Sequence, residues 1–448
     1  MKFKKVMALA LASTMVFSMA ACGGSKDDGG SSDAGDSKKE EKSEGGDTLS
    51  ISIWDTNQEP GINEILADFT KETGIKTKLT VVKWDEYWTM LEAGAQGGSL
   101  PDVFWMHSNT AQMYMENEIL LDLTDYIDKD DAVVKDNYYE GVWDLYNSNG
   151  KQYALPKDHD TIALLYNKAI FDQYQVEYPT DDWTWEDMYE AAKTITEGSN
   201  GDIYGMAMNT SNNQDGWYNL VYDYGAQVIT DDHKGTTIGS DEGKAGMEMM
   251  RKLLTVGAPQ SVVAETGTDS LFQSGKTAMI TQGSWMINAF YTSENAADYA
   301  WAMLPYADVN GNGACDTDER FSAYNGLGWA ANAEVADPDA CYSLISYLCS
   351  EEGQKKQSEL GVTMGGMKGV SEAFANAFEG MDVSAFVRAE EEGSLYFRPY
   401  TRNTTVWEDA LQQQGAFLDA WQNPDDAATM EKACDNAQKI IEDAIAAE

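Results

Sequence analysis

Two kinds of side chain dominate the groups here that could act on a ligand: flat aromatic faces and carboxylates. The chain holds 13 Trp, 23 Tyr and 75 Asp plus Glu among 448 residues. Aromatic faces stack on the apolar C–H faces of sugars and carboxylates accept hydroxyl hydrogens with charge-assisted strength, although a large core would consume the same aromatics. In "SGKTAMITQGSWMINAF", residues 274–290, "TAMITQ" is a β-prone run, Gly283 breaks it, and Ser284 can cap a helix whose first residue is Trp285. A residue between strand end and helix start stands at the carboxyl edge of an α/β sheet, where ligands bind. An aromatic there serves a core equally well, so pattern alone leaves Trp285 with both readings.

A second constellation is "DVNGNGACDTDE", residues 308–319, which fits the twelve-residue calcium loop. Asp308, Asn310 and Asn312 supply oxygens at positions one, three and five, and Gly313 makes the turn. Ala314 stands at seven, Asp316 at nine and Glu319 at twelve. The expectation is a weak structural calcium, because two ligands are neutral amides. Against it, "YAWAMLPYA" before the loop reads as a strand rather than a helix, and Cys315 replaces the usual aliphatic residue. An Asn-Gly hairpin turn would produce part of the same pattern.

Other chemistry has little material. Three histidines, His107, His159 and His233, leave little for His-based catalysis or transition-metal clusters. No GxSxG, HExxH, P-loop or GxGxxG occurs, and no other cofactor is called for. A glycoside hydrolase would need two carboxyl groups roughly 5 to 9.5 Å apart, a spacing that sequence does not display.

The length allows two or three domains. A formal charge of −44 repels phosphate backbones and anionic lipid, so nucleic acid and direct membrane contact are poor partners. Residues 1–22, "MKFKKVMALALASTMVFSMAAC", join Lys2, Lys4 and Lys5 to an apolar stretch and small residues, the form of a secretory signal. "MAAC" before Gly23 resembles a bacterial lipobox with Cys22 as the lipidated residue, although Met19 stands where Leu is commonest. Residues 23–47 carry no large apolar side chain and read as a tether reaching on the order of 25–30 Å. Attachment through a lipid alone, on the extracellular face of a bacterial cytoplasmic membrane, is the expected location. Cys341 and Cys349 lie roughly 12 Å apart along one predicted helix, too far for a disulfide, and Cys341 and Cys434, on apolar helix faces, read as buried small hydrophobes.

The elements that would position these residues follow in order. "TLSISIW" alternates as a strand, and "PGINEILADFTKETG" is a helix with Ile62, Ile65, Leu66 and Phe69 on one face. "IKTKLTVV" (strand), "WDEYWTMLEAGAQ" (helix opened by Asp85) and "DVFWM" (strand) complete a βαβαβ order, which implies a parallel sheet. "YALP" and "IALLYN" read as strands leading to a second mixed α/β region. "DPDACYSLISYLCSEEG" is a helix capped by Asp337, and helices at about 405–421 and 427–446 close the chain.

Several segments together resemble the family 1 extracellular solute-binding proteins, the sugar-binding lipoproteins of ABC importers. They are "WDTNQEPGINEILADFTKETGIKTKL", "DVFWMHSNTAQMYMENEILLDLT", "GKQYALPKDHDTIALLYNKAIF", "WTWEDMYEAAKTIT" and "LFQSGKTAMITQGSW", in that order and spacing over about 48–448. The resemblance implies an α/β, two-lobed periplasmic-binding-protein-like (type II) fold with the ligand cleft between lobes. Lobe one would hold 48–157 and 330–385, and lobe two 160–322 and 388–448. A monomer would bind a carbohydrate, close about its hinge and deliver it to the permease subunits without chemistry. Trp285 matches the family's stacking tryptophan, and Trp407 a second platform, with Leu411 on the same helix favouring a core role instead. Gln58, Trp105, His107 and Ser108 match ligand positions in lobe one. Asp160 falls on an acidic contact, with a hinge-capping side chain as the alternative. Asp215, Trp217 and Tyr218 lie near a contact loop, and Arg398 and Tyr400 are further cleft candidates. A tethered glycoside hydrolase and a polysaccharide-sensing or adhesion module are the competing classes.

Overall fold

The structure, a computed structural model, describes residues 48–448 except 212, 317–318 and 413–416. The expected signal, tether and Cys22 lie outside the described residues.

Lobe one grows from the expected βαβαβ unit. β1 (Thr48–Ile53) buries Leu49, Ile51 and Ile53. α1 (Glu59–Thr73) has Pro60 in its first turn, buries Ile62, Ile65, Leu66 and Phe69, and ends on Gly74 at φ 78°, a left-handed conformation glycine adopts without penalty. β2 (Lys76–Val81), α2 (Trp84–Gly97) and β3 (Val103–Met106) follow, and both outer strands run parallel to β1. α2 begins one residue before Asp85 and has no side-chain cap. α3 (Ser108–Glu116) leads on to a hairpin of β4 (Asn147–Ser148) and β5 (Lys151–Gln152), and then to β6 (Ala154–Pro156).

Lobe two is built on β7 (Ile162–Asn167), flanked antiparallel by β8 (Met279–Gly283) and β9 (Tyr299–Met303). All six residues of β7 are buried, as expected of a strand covered on both faces. The chain then returns through β10 (Phe321–Tyr324) and β11 (Gly328–Ala331). β11 inserts antiparallel between β3 and β6, completing the order β2-β1-β3-β11-β6. β12 (Ser394–Phe397) pairs in parallel with β10.

The lobe-one sheet packs one face on the helix Pro338–Cys349, whose Cys341, Leu344, Ile345 and Leu348 meet Ile51, Ile53 and Trp105. Asp337 caps that helix as the sequence predicts, accepting from the Ala340 N–H at 3.0 Å. Cys341, Cys349 and Cys434 are buried free thiols. The domain limits require one correction. Met367 and Val370 pack with lobe one, but Phe374, Phe378 and Phe386 pack with Leu165 and Trp301, so 371–385 sits on the lobe-two core.

Three segments run side by side between the lobes. Residues 157–161 join β6 to β7, 325–327 join β10 to β11, and 362–370 carry Met364 of the lobe-two core between Val362 and Met367 of the lobe-one core. Lys157 N–H donates to the Leu327 carbonyl and Asp160 N–H to the Asn325 carbonyl, each at 2.8 Å. On the other side, His159 N–H donates to the Met364 carbonyl at 3.3 Å.

Candidate functional site

A cleft of about 580 Å³ is lined by both lobes and by the crossing segments. A cavity of that size suits a small-molecule ligand. A larger groove of about 1040 Å³ is lined by 209–211, 254–269 and 418–425, all from lobe two, and none of the crossing residues reaches it.

In lobe one, the loop between β1 and α1 carries Trp54, Asp55 and Gln58 into the cleft, and the start of α2 carries Trp84 and Asp85. Trp54 is the hub of an aromatic cluster, with ring centroids 5.0 Å from Trp84, 5.0 Å from Tyr87 and 4.9 Å from Trp105, all edge-to-face. Trp105 belongs to the layer beneath. It is fully buried on β3, with Trp329 of β11 at 5.8 Å and the Lys157 ammonium 4.4 Å over its ring. His107, one residue beyond β3, lines the cleft; the Asn325 amide donates to its Nε2 at 3.3 Å. Burial first, and then the Arg398 charge, pull the His107 pKa down to about 3, so the ring is neutral. Ser108 is buried behind it, 3.4 Å from Arg398 Nη1.

The crossing segments make the floor. Lys157 is fully buried, its ammonium 2.5 Å from Asp158 Oδ2 and 2.9 Å from Gln58 Oε1. Asp158 Oδ1 accepts from the Leu327 N–H at 2.6 Å, so each member of this buried ion pair has a further hydrogen-bond partner besides the other. Asp160 faces the cleft two residues on, and burial together with repulsion from Asp158 raises its pKa. Asn325 also lines the cleft, and its Oδ1 is buried without a hydrogen-bond partner among the described residues.

In lobe two, β8 ends at Gly283, and a 3₁₀ turn, Ser284–Met286, precedes the helix Ile287–Tyr291. Ser284 is therefore not a helix cap; its hydroxyl donates to Asp160 Oδ1 at 3.1 Å. Trp285 is half-buried, one part against the lobe-two core and one part lining the cleft. Arg398 enters from beyond β12 and its Nη2 lies 2.5 Å from Glu408 Oε1.

Trp407 is corrected to a core residue. It is fully buried with Leu411 and Met430, its indole N–H on Thr401 Oγ1 at 3.1 Å. The helix Thr404–Gln412 turns its other side, Thr405, Glu408 and Asp409, to the cleft, the i, i+3, i+4 face opposite Trp407. The contact loop is shifted in the same way. Asn213 and Gln214 reach the cleft, while Asp215, Trp217 and Tyr218 are buried behind them. Trp217 Nε1 holds Asn213 Oδ1 at 2.8 Å, and the Tyr218 hydroxyl donates to Glu408 at 2.9 Å, so both position cleft residues. Tyr400 lies outside the cleft, its ring 4.4 Å from that of His233. The structure thus brings Gln58, His107, Asp160, Trp285 and Arg398 together and adds Trp54 and Trp84. The sequence signal for Trp54 was its place in "SIWDTN", directly at the carboxyl end of β1.

The arrangement offers hydrogen-bond acceptors between indole faces on opposing lobes. Residues 55–355 match the family of bacterial extracellular solute-binding proteins. The galactooligosaccharide-binding protein of Bacillus subtilis is 24% identical over 367 residues, which are 80% of this chain and 79% of that protein. The maltooligosaccharide ABC transporter solute-binding lipoprotein of Streptococcus pneumoniae serotype 4 is 23% identical over 373 residues, 79% of this chain and 78% of its own length. An ABC substrate-binding protein of Listeria monocytogenes, solved in complex with cycloalternan, matches with a TM-score of 0.76 at 22% identity, over 88% of this chain and 98% of that one. The structural likeness shows the two-lobed type II fold; the family match runs through both lobes and the segments that join them, and the chain belongs to the bacterial extracellular solute-binding proteins.

Proposed function

We propose that this solute-binding protein captures an uncharged carbohydrate, an oligosaccharide, and delivers it to the permease of an ABC importer as a lipid-anchored monomer. The observation that carries the reading is that Trp285 of lobe two and Trp54 and Trp84 of lobe one line the same cleft, among the acceptors Asp160, Asn325 and Gln58. A sugar sandwiched there would touch both lobes, and binding energy shared between lobes favours the closed state. Asp158 is paired with Lys157 and Glu408 with Arg398, the one cation lining the cleft among the described residues, so the cleft carboxylates Asp55, Asp85 and Asp409 are left without an opposing cation there, which disfavours uronates and sugar phosphates. Relatives named for galacto- and maltooligosaccharides support the sugar class. Anchoring rests on the signal-like residues 1–22 and Cys22.

Titration with neutral galacto- and maltooligosaccharides should quench intrinsic tryptophan fluorescence saturably and reduce the radius of gyration, with the sugar recovered intact. Absence of both responses across the panel overturns the reading, and release of cleavage products would favour a hydrolase. Incorporation of labelled palmitate that is lost in Cys22→Ser tests the anchor.

A further inference from the structure

We propose that the loop 308–319 on lobe two is a calcium site, separate from the cleft and independent of what the cleft binds. The ligands would be the side chains of Asp308, Asn310, Asn312, Asp316 and Glu319 and the backbone carbonyl of Ala314, positions one, three, five, nine, twelve and seven of a calcium loop. Each of these six residues is among those described, and none lines the cleft.

The fold presents the loop as a closed unit. It lies between β9 and β10, and the Ala307 N–H donates to the Glu319 carbonyl at 2.9 Å, so the residue before the first position is held to the last. The Asp308 carboxylate accepts from the backbone N–H groups of Asn312 at 3.0 Å and Gly313 at 3.1 Å, and Gly313 has φ 73° at the sharp turn. The Asn310 and Asn312 amides both donate to Asp316 Oδ2, at 2.8 Å and 3.0 Å. A bare loop rich in Asn and Asp forms such turns by itself, so they do not require an ion.

Glu319 does call for one. It is 1% exposed, and its carboxylate points back at the loop, where Oε2 accepts from the Asp316 N–H at 3.1 Å. Its Oε1 is buried with no hydrogen-bond partner among the described residues. A buried carboxylate oxygen left unpaired is unfavourable, and the neighbouring cation does not relieve it. The Arg320 guanidinium is instead turned over the Tyr306 ring and onto the Asp181 carbonyl. The unpaired oxygen thus belongs to the twelfth position, where a calcium loop uses a carboxylate with both oxygens on the ion.

Oxygen ligands of mixed charge in a pliable loop suit calcium better than magnesium, which demands a tight octahedron. Among the described residues no three His, Cys, Asp or Glu side chains are gathered at metal-holding distance. The ion must therefore draw Asp308, Asp316 and Glu319 inward and displace the two amide donors from Asp316. Binding should accordingly tighten the loop between β9 and β10.

The full chain, stripped with chelator, is titrated with calcium chloride by calorimetry and by thermal unfolding. One calcium per chain is expected, with a dissociation constant on the order of 10⁻⁵ to 10⁻³ M and a saturable rise in melting temperature. Glu319→Gln should weaken calcium at least tenfold and abolish the rise while leaving the response to the sugar panel unchanged. Should Glu319→Gln not fold, the half-exposed Asp308→Asn decides on the same readouts. No stoichiometric calcium binding by the wild type, an equal response to magnesium chloride, or calcium binding unaltered in the folded variant overturns the site. Loss of sugar binding in a panel with calcium intact would instead strike the carbohydrate reading alone.

Discussion

The Ser284 hydroxyl donates to Asp160 Oδ1 across 3.1 Å, tying the turn that carries Trp285 to a segment that crosses between the lobes. The indole on one wall and the carboxylate on the floor are therefore placed by one buried contact. Gly283, just before it, leaves the ring its room: a Cβ there would stand 1.9 Å from the Trp285 ring. The backbone at Gly283, φ −87°, accepts alanine. Gly283→Ala should therefore swing the ring and weaken sugar binding roughly 10- to 30-fold, about 1.4–2 kcal/mol, as Trp285→Ala should. The ligand-free melting temperature should change little. Wild-type affinity in a folded Gly283→Ala, measured by calorimetry, would remove Trp285 from the sugar contact.

Trp84 and Trp407 should separate binding from stability. Trp84 is 40% exposed at the cleft, so Trp84→Ala should lower affinity with a small stability change. Trp407 is fully buried among Leu411, Met430 and Ile441, and Trp407→Ala should lose about 3–5 kcal/mol in urea unfolding. A reversed pattern would restore Trp407 to the site.

The buried Lys157–Asp158 pair should be intolerant of half-removal. Lys157→Met leaves the Asp158 charge buried with one backbone N–H, and about 3–5 kcal/mol of stability should be lost. Replacement of both residues by apolar partners should lose less than the single change; equal or greater loss in the double variant would show that packing, not charge, decides.

His159 and Glu390 give stability opposing pH dependences. His159 is buried, its Nδ1 2.6 Å from the Gly365 carbonyl and its Nε2 3.1 Å from Glu390 Oε2. Burial lowers the His159 pKa from 6.5 to about 4, so its contribution is full above 6.5 and is lost as pH falls through 4. Burial, with Glu391 nearby, raises the Glu390 pKa from 4.5 to about 7, so its contribution is full below 4.5 and is lost as pH rises through 7. The slopes offset between pH 4.5 and 6.5. Glu390→Gln keeps a donor toward Nε2 and removes one slope, so it should gain on the wild type by about 1–2 kcal/mol as pH rises from 4.5 to 7.5. Parallel urea-stability profiles would contradict the pairing.

With its pKa near 3, His107 carries no charge at pH 5 to 8. Sugar affinity should show no step near 6.5, and a step abolished by His107→Gln would show that the ring titrates in the cleft.

Local pattern in the sequence determined the βαβαβ start of lobe one, the Asp337-capped helix and the position of Trp285 after β8, because each depends on residues a few places apart. Family order carried Gln58, His107, Asp160 and Arg398 toward one cleft. Which aromatics remain open there was decided by distant packing. Trp105 is covered by Lys157 and Trp329, from a crossing segment and a strand far along the chain, while Trp54 rests on top of it. Trp407 and Glu408 are neighbours in sequence, yet a helical residue turns about 100° from the last, and docking of the helix on Met430 and Ile441 sends one ring inward and one carboxylate to the cleft. The hydrophobic face of a helix can be read from its own residues, but what lies opposite the polar face exists only once the two lobes meet.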